Sequence, residues 1–141
     1  MPQVNFYILH TLVKQEKARF ACQLTDKAWQ KGYRIYLQTH SLSEAQQLDD
    51  LLWTFKQDSF IPHEIDSDVS HSNVPVCIGY QQECRQEMDL LINLTEVVLP
   101  HYQQFKRLAE IVEETARESG RVRYRFYRDQ GCDLLSHDIY R

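Results

Sequence analysis

Val4-Asn-Phe-Tyr-Ile-Leu9 begins the part of the chain that decides the fold, because a short β-branched and aromatic run of this kind predicts a first strand. Residues 14–31 carry apolar side chains at four-residue spacing, which predicts an amphipathic helix that Gly32 can close in the left-handed conformation. Residues 34–37 predict a second strand, and Ser41-Leu-Ser-Glu44 has the capping-box spacing that starts a second helix. This strand–helix–strand–helix order indicates an α/β fold with a mostly parallel central sheet.

Further strands are predicted in the middle of the chain. Residues 60–65 form a brief extended segment, in which Pro62 indicates an edge position or the entrance to a strand. Residues 74–79 predict another strand, and residues 88–94 are an apolar run of the length that a buried strand has. These segments extend the predicted sheet.

The segment that follows the last of these strands is interpreted as helical. Pro100 sits where a helix would start. The predicted inner face of this helix consists of Phe105, Leu108, Ala109 and Val112. Residues 133–141 are expected to form a terminal tail. No repeat, low-complexity tract or linker divides the chain, so residues 1–141 are expected to form a single domain.

Arginine is concentrated in the stretch Arg121-Val-Arg-Tyr-Arg-Phe-Tyr-Arg128. As a strand, it would place alternate arginines on one face. As a helix, it aligns one stripe on its surface: Arg117, Arg121, Tyr124, Arg125 and Arg128. We favour the helix because it accounts for more residues, with Val122 and Phe126 as its apolar back and Gly131 as its C-cap. An arginine–tyrosine face suits a partner that bears carboxylates; the alternative is an ordinary solvated basic face.

The charges are segregated along the chain, although the net charge of its 141 residues is only −4. Residues 1–36 carry six Lys or Arg against two acids, whereas residues 37–105 carry two bases against eleven acids. An acidic middle segment repels a phosphate backbone, which disfavours a protein that wraps nucleic acid. Local basic patches can still bind a small acidic partner.

The sequence predicts a cytoplasmic protein without membrane association. No apolar run approaches the roughly 20 residues that span a bilayer, and the first residues lack the basic start and cleavage site of a signal peptide. The cysteines have no CxxC spacing and are expected to be reduced thiols. They are Cys22, Cys77, Cys84 and Cys132.

The sequence contains no motif for enzymatic chemistry. Its four glycines form neither a GxGxxG motif nor a P-loop, so no standard nucleotide site is expected. No histidine pair has the spacing of metal ligands on a helix, and no nucleophile motif of the common hydrolases occurs. We therefore expect no cofactor, no metal and no catalytic residue. A small-molecule enzyme with a site in the crevice of the sheet stays an alternative that only the fold favours.

A second candidate surface lies around the end of the predicted second helix. The core-facing stripe of that helix consists of Leu48, Leu51, Leu52 and Phe55. Trp53 falls outside this stripe, and Phe60 follows it in a predicted loop. Large aromatic side chains outside the core often anchor protein interfaces. The alternative is that Trp53 and Phe60 pack on each other or on a neighbouring loop.

Several stretches of the chain together carry a resemblance to a known family. They are Asn5-Phe-Tyr-Ile-Leu9, Ala28-Trp-Gln-Lys-Gly-Tyr-Arg34, Leu48-Asp-Asp-Leu-Leu-Trp53, Ser59-Phe-Ile-Pro-His63, Leu94-Thr-Glu-Val-Val98 and Arg123-Tyr-Arg-Phe-Tyr-Arg-Asp-Gln-Gly131. On these residues the chain resembles the chi subunit family of bacterial DNA polymerase III over nearly its whole length. The most specific parts are the Leu-Trp that precedes Ser-Phe-Ile-Pro-His and the Tyr-Arg-Phe-Tyr-Arg block.

The resemblance implies a single chi-like domain with a three-layer, Rossmann-like α/β fold, no bound nucleotide and no catalytic role. It implies two partners in DNA replication. One is the psi subunit, which tethers chi-like proteins to the clamp loader. The other is single-stranded DNA-binding protein, held by its acidic C-terminal tail that ends in Pro-Phe. Association with DNA would then be indirect, and a helicase would be a further partner at the surface that faces psi.

The resemblance also implies which residues meet each partner. The positions for the tail are Arg121, Tyr124 and Arg125, with Arg128 just beyond them and with Phe105 and Val98 as candidates for the pocket that takes the tail's phenylalanine. The positions that face psi or a helicase are Trp53, Phe60, Leu52 and Pro62. The alternative function is direct binding of single-stranded nucleic acid by the arginine–tyrosine helix, with its tyrosines stacked on bases.

Overall fold

The computed structural model describes residues 1–13, 15–57, 60–66, 74–80, 84 and 87–140. Within these residues the chain forms the strands β1 (Gln3–His10), β2 (Ile35–Gln38), β3 (His63–Ile65), β4 (Val76–Gly79), β5 (Leu90–Asn93), β6 (Arg107–Val112) and β7 (Asp133–Tyr140). It also forms the helices α1 (Glu16–Gln30), α2 (Leu42–Thr54) and α3 (Arg117–Asp129), and 3₁₀ turns at Tyr102–Gln104 and Glu114–Ala116.

These strands belong to one sheet with the order β3-β4-β2-β5-β6-β1-β7, and each described pair of neighbours is parallel. Helices α1 and α2 pack on one face of the sheet, and α3 packs on the other with the first 3₁₀ turn. The register along β1 places Val4 opposite Leu108 of β6 and Leu134 of β7. This three-layer arrangement confirms the predicted α/β fold with a parallel sheet.

The two core layers follow the alternation of side chains along the strands. On β2, Leu37 packs with α1 and α2, while Tyr36 packs in the layer beneath α3. On β5, Ile92 packs in the layer with α1 and α2, and Leu91 packs in the layer beneath α3. Strands buried on both faces need apolar residues at every position, which explains the continuous apolar run that predicted β5.

The ends of the helices form as the local sequence predicts. The hydroxyl of Ser41 accepts a hydrogen bond from the backbone N–H of Glu44 at 3.2 Å and so caps α2. Gly32 has φ +86° and Gly131 has φ +84°, the left-handed conformation that closes α1 and α3. These ends fix how long each helix is and where the chain turns back to the sheet.

The predicted helix after Pro100 is wrong. A short 3₁₀ turn follows Pro100, and the residues from Leu108 to Val112 lie in strand β6. Strand β6 runs between β5 and β1, and its residues from Leu108 to Val112 are buried on both faces of the sheet. A strand that is apolar on both sides also satisfies the i, i+3, i+4 pattern of a helix, and periodicity alone cannot separate the two.

The predicted terminal tail is wrong as well, because Asp133–Tyr140 forms strand β7. This strand pairs with β1 along its whole length and forms an edge of the sheet, where most of its side chains are exposed. The polar composition that suggested a tail is that of an edge strand. Arg141 lies outside the described residues.

Candidate functional site

Helix α3 confirms the helical interpretation of the arginine-rich stretch, but it turns a different side to the core. Gly120, Arg123 and Tyr127 are buried, whereas Val122 is 55% exposed and Phe126 is 37% exposed. The predicted apolar back of α3 is therefore wrong. The reason lies in the sheet, which presents a buried carboxylate beneath α3 and so requires a cation opposite it.

The buried carboxylate belongs to Glu110 of β6, which is fully buried. The Arg123 Nε lies 3.3 Å from it, and the Tyr127 hydroxyl donates to it at 2.6 Å. The side-chain amide of Asn93 donates to the same carboxylate at 3.0 Å. Arg123 also donates to the backbone carbonyl of Thr95 at 3.1 Å. These contacts fix the rotation of α3 about its own axis and thereby decide which of its side chains face solvent.

The protonation of this cluster follows from its burial. Burial raises the pKa of Glu110 to about 7, while the Arg123 guanidinium and the hydrogen bonds from Tyr127 and Asn93 act to lower it. Burial and the neighbouring Glu110 carboxylate raise the pKa of Tyr127, so its hydroxyl keeps its proton and remains a donor. The cluster is closed to solvent and positions α3.

A pocket opens between the first half of α3 and the strands β1, β6 and β7. Its volume is about 180 Å³, and its apolar floor comes from Phe6, Ile8 and Val112. Tyr124 of α3 forms an aromatic wall, with its ring centroid 5.3 Å from that of Phe6. Gly120 lets α3 approach the strand closely, because a Cβ there would lie 2.8 Å from the Val112 Cγ1. We call this cavity the α3 pocket.

Charged and polar side chains, which include the Asp138 carboxylate and the Ser136 hydroxyl of β7, border the apolar floor of the α3 pocket. Arg117 and Arg121 line it from the helix. The Arg117 guanidinium forms an ion pair at 2.8 Å with the carboxylate of Glu114, which lies three positions earlier in the chain. Arg121 pairs in the same way with Glu118 at 3.1 Å, and both of these side chains are mostly exposed. The exposed Arg121–Glu118 pair contributes little free energy, so the Arg121 guanidinium can exchange its partner for the carboxylate of a ligand, whereas the Arg117–Glu114 pair is part-buried.

His10 connects this cationic rim to the edge strand. The Arg117 guanidinium donates to the His10 Nδ1 at 2.6 Å, because an arginine has no acceptor. The other ring nitrogen, Nε2, therefore carries the proton and donates it to Asp138 at 2.8 Å. The Tyr140 ring stacks on His10 with centroids 4.4 Å apart. This chain of contacts holds the Arg117 guanidinium at the mouth of the α3 pocket.

The other predicted tail-binding residues lie outside the α3 pocket. Arg125 and Arg128 are exposed and continue the basic surface along α3. Arg128 lies 3.4 Å from Asp129, whereas Arg125 forms no ion pair with any residue in the described ranges. Phe105 is buried and Val98 is half-buried, both in the core layer beneath α3. The structure thus brings Arg121 and Tyr124 together in one pocket and places Phe105 and Val98 elsewhere.

The second predicted surface lies at the C-terminal end of α2. Trp53 is 53% exposed and Phe60 is 76% exposed, and Pro62 is also exposed. The Trp53 ring packs on the His63 ring with centroids 4.5 Å apart, which holds it in place. Leu52 is buried in the core and supports this surface from inside. Trp53, Phe60 and Pro62 together define what we call the α2 surface.

Sequence reasoning missed the strand residues that complete the α3 pocket. Phe6, Ile8 and His10 alternate along β1, and in a sequence such residues are indistinguishable from ordinary core positions. Gly120 gave a usable signal, since a glycine inside a helical pattern often marks a close approach of two backbones. Gly120 lies in the first half of α3, where the helix borders the α3 pocket.

The chemistry that the α3 pocket can support is binding. In the part of the chain that the structure describes, no group of three or more His, Cys, Asp or Glu side chains could hold a metal ion. No helix in that part has the length and apolar character needed to cross a membrane. An apolar floor with a cationic rim suits a ligand that combines an apolar group with neighbouring negative charge.

Comparisons with known proteins identify relatives over the whole chain. A family model described as DNA polymerase III chi subunit, HolC, matches residues 1–135. The protein named DNA polymerase III subunit chi from Pseudomonas aeruginosa is 36% identical over 143 residues, covering 100% of this chain and 99% of the relative. The protein of the same name from Escherichia coli K12 is 27% identical over 141 residues, covering 95% of this chain and 96% of the relative.

A solved structure shares the fold at much lower identity. The crystal structure of T4 UvsW matches with a TM-score of 0.72 and 8% identity over 98% of this chain. The match covers 41% of the T4 protein, so this chain corresponds to less than half of that molecule. At this identity the likeness concerns the fold alone.

Proposed function

The chain belongs to the DNA polymerase III chi subunit family, and from this premise we propose that it is a non-catalytic accessory subunit that bridges two partners during DNA replication. One is the clamp loader, reached through the psi subunit. The other is single-stranded DNA-binding protein, whose acidic C-terminal tail ends in Pro-Phe. The observation that carries the proposal is the α3 pocket, in which an apolar floor lies beside Arg117 and Arg121.

The α3 pocket has the size and lining that a phenylalanine ring needs. An apolar cavity of about 150 Å³ holds a benzene molecule, and the α3 pocket has a volume of about 180 Å³. Phe6, Val112 and Tyr124 supply apolar and aromatic contacts on several sides of that space. The terminal ring of the tail can therefore be buried without displacing a side chain of the sheet.

The rim of the α3 pocket suits the charges of the tail. A phenylalanine at the end of a chain carries the terminal carboxylate, which lies at the mouth of the pocket when the ring is inside. Arg117 and Arg121 can bind that carboxylate through paired N–H donors. The acidic residues that precede it then lie along the exposed side of α3, near Arg125 and Arg128. Binding should weaken with added salt, because these contacts are partly exposed.

Removing the terminal phenylalanine from a tail peptide is expected to weaken binding roughly 30-fold, because burial of the ring contributes about 2 kcal/mol. Fluorescence anisotropy with labelled full-length and shortened peptides measures the difference. The shortened peptide keeps the same charge but moves the terminal carboxylate by one residue, so a peptide with alanine in place of the terminal phenylalanine, which keeps the carboxylate in position, isolates the ring. A peptide with leucine in place of the terminal phenylalanine should bind with intermediate affinity. Equal affinities of the full and shortened peptides would contradict the assignment of the α3 pocket.

The α2 surface is proposed as the contact with psi, and a helicase is a further candidate for the same surface. Trp53, Phe60 and Pro62 are exposed and adjacent to the edge strand β3. Exposed aromatic side chains at a sheet edge are typical anchors of protein interfaces. The α2 surface and the α3 pocket lie on different helices on opposite faces of the sheet, which would allow both partners to bind at once.

Replacing Trp53 with alanine is expected to weaken binding of psi at least tenfold while leaving tail binding unchanged, because a buried tryptophan contributes more than about 1.4 kcal/mol to a typical interface. Co-purification with psi and peptide anisotropy on the same preparation measure both effects. Val122→Ala is a matched control, because it also removes an exposed apolar side chain, but from α3. Co-purification of the Trp53 variant with psi at the unchanged yield would remove Trp53 from the interface.

A further inference from the structure

A second concave surface lies on the face of the sheet opposite the α3 pocket. Along β1, Phe6 and Ile8 line the α3 pocket, whereas Asn5 and Tyr7 point to the other face and line this second surface. It lies between α1 and the strands β1, β6 and β7, with a volume of about 340 Å³. We call it the α1 groove. The proposed bridging function uses no residue of this groove.

Among the residues that the structure describes, the charged side chains that line the α1 groove are cations. Lys27 lies in the last turn of α1, Lys31 directly follows the helix, and Arg107 lies at the start of β6. No aspartate or glutamate belongs to the lining that the described residues form. Lys27 and Lys31 form no ion pair with any residue in the described ranges, and Arg107 donates to the Gln3 side-chain carbonyl at 2.9 Å. Their positive charge is therefore available to an anionic ligand.

Aromatic rings lie beside these cations. The His137 ring stacks on Tyr7 with centroids 5.0 Å apart and planes at 17°. His137 is exposed, and a hydrogen bond of 3.0 Å between its Nε2 and the Asn5 side chain holds the ring. The Arg107 guanidinium lies 5.6 Å from the centre of the Tyr33 ring. Rings held in this way beside positive charge are the elements on which unpaired bases stack.

The α1 groove lies away from most of the acidic middle segment of the chain. Nucleic-acid binding was disfavoured because residues 37–105 are strongly acidic. That segment contributes only Leu90 to the lining among the described residues. The helix side of the groove comes instead from residues 1–36, the segment with six bases and two acids. Two of these six bases, Lys27 and Lys31, line the groove, and the α3 pocket uses neither of them.

We propose that the α1 groove binds single-stranded nucleic acid, with phosphates held by Lys27, Lys31 and Arg107 and a base stacked on the His137–Tyr7 pair. The cations supply the affinity, which is independent of sequence, and the rings select unpaired bases. Each of three phosphate contacts contributes about 0.7 to the slope of log affinity against log salt for a single strand. Raising the salt from about 50 to about 200 mM should therefore weaken binding roughly 20-fold.

The test is a titration of the full chain with a labelled oligothymidine of about 10 nucleotides, followed by anisotropy. Lys27→Glu/Lys31→Glu is expected to weaken binding more than tenfold. The matched control is Arg121→Glu/Arg125→Glu, which changes the net charge by the same amount on the opposite face and should change binding less than threefold. Circular dichroism and thermal unfolding confirm that both variants are folded.

Each other outcome overturns the proposal. If the α3 variant alone loses binding, the nucleic acid is bound by the arginine–tyrosine helix. Equal losses of binding in both variants would mean that only the overall charge of the protein matters. If the unmodified chain does not bind oligothymidine, the α1 groove is not a site for single-stranded nucleic acid. Inorganic polyphosphate serves as a competitor that has the charge but no bases. It should compete at least tenfold less well than oligothymidine, and equal competition would assign the groove to polyanions in general.

Discussion

Replacing Arg123 with methionine is expected to lower the free energy of unfolding by about 3–5 kcal/mol at alkaline pH, where Glu110 is ionised, because it leaves a buried carboxylate without its counter-charge. Arg123 is 2% exposed and Glu110 is fully buried, so water cannot take over the role of the guanidinium. Arg123 is also the donor to the Thr95 carbonyl. Chemical denaturation monitored by circular dichroism measures the change, and methionine retains most of the apolar stem of arginine.

The loss should depend on pH in a defined direction. The pKa of Glu110 in the folded protein is raised to about 7 from its ordinary value of 4.5. Between these values the folded chain binds a proton that the unfolded chain lacks, so the stability from this group falls as the pH rises. Without the Arg123 guanidinium, the pKa of Glu110 in the folded protein rises further. At pH values above this raised pKa, each additional pKa unit adds about 1.4 kcal/mol to the stability that the variant loses. The deficit of the variant should therefore be larger at pH 8 than at pH 5.

A second variant separates loss of charge pairing from loss of packing. Glu110→Gln combined with Arg123→Met removes both charges and keeps a carbonyl that accepts from the Tyr127 hydroxyl. This double variant should be more stable at pH 8 than Arg123→Met alone, and its stability should change less with pH. If both variants lose the same stability at both pH values, the ion pair is not what holds α3 on the sheet.

Reversing two charges on α3, with Arg121→Glu and Arg125→Glu together, is expected to weaken binding of the tail peptide about 100-fold. Each reversal replaces an attractive contact with a repulsive one, and about 1.4 kcal/mol for each corresponds to a tenfold change. Arg121 lines the α3 pocket, while Arg125 lies further along the exposed side of α3, where acidic residues of the tail would run. Anisotropy with the labelled peptide at low salt measures the affinity.

Lys27→Glu/Lys31→Glu is the matched control for this experiment, since it gives the same change in net charge on the opposite face. Tail binding should change less than threefold in that variant. The single Arg125→Glu variant should lose about tenfold, which assigns roughly half of the effect to each arginine if the two act independently. An unchanged affinity in the double α3 variant would exclude the cationic rim as the site for the tail.

The elements that local signals define could be predicted from the sequence. Helices α1 and α2 have regular apolar spacing and recognisable ends at Gly32 and Ser41, and strands β2 and β5 are continuous apolar runs. Strands β6 and β7 could not be assigned in this way. The first is buried on both faces and the second is exposed at an edge, so neither shows the simple alternation of a half-covered strand.

The candidate site was predictable only for the residues that α3 contributes. The helical spacing placed Arg121 and Tyr124 on one side of α3, and the structure brings them together in the α3 pocket. The rotation of α3 was not predictable, because it depends on the contact of Arg123 with Glu110 of a strand that was itself misassigned. A pattern that sorts residues by hydrophobicity cannot anticipate an arginine on the buried side.

The alternation of β1 between the two faces of the sheet has a consequence for how this protein can change. Phe6 and Ile8 serve one cavity, and Asn5 and Tyr7 serve the other, so neighbouring positions of one backbone segment belong to different surfaces. Substitutions can alter either surface separately, one side chain at a time. A shift of the strand by a single residue would exchange the two linings completely, so insertions and deletions within β1 are far less tolerable than replacements.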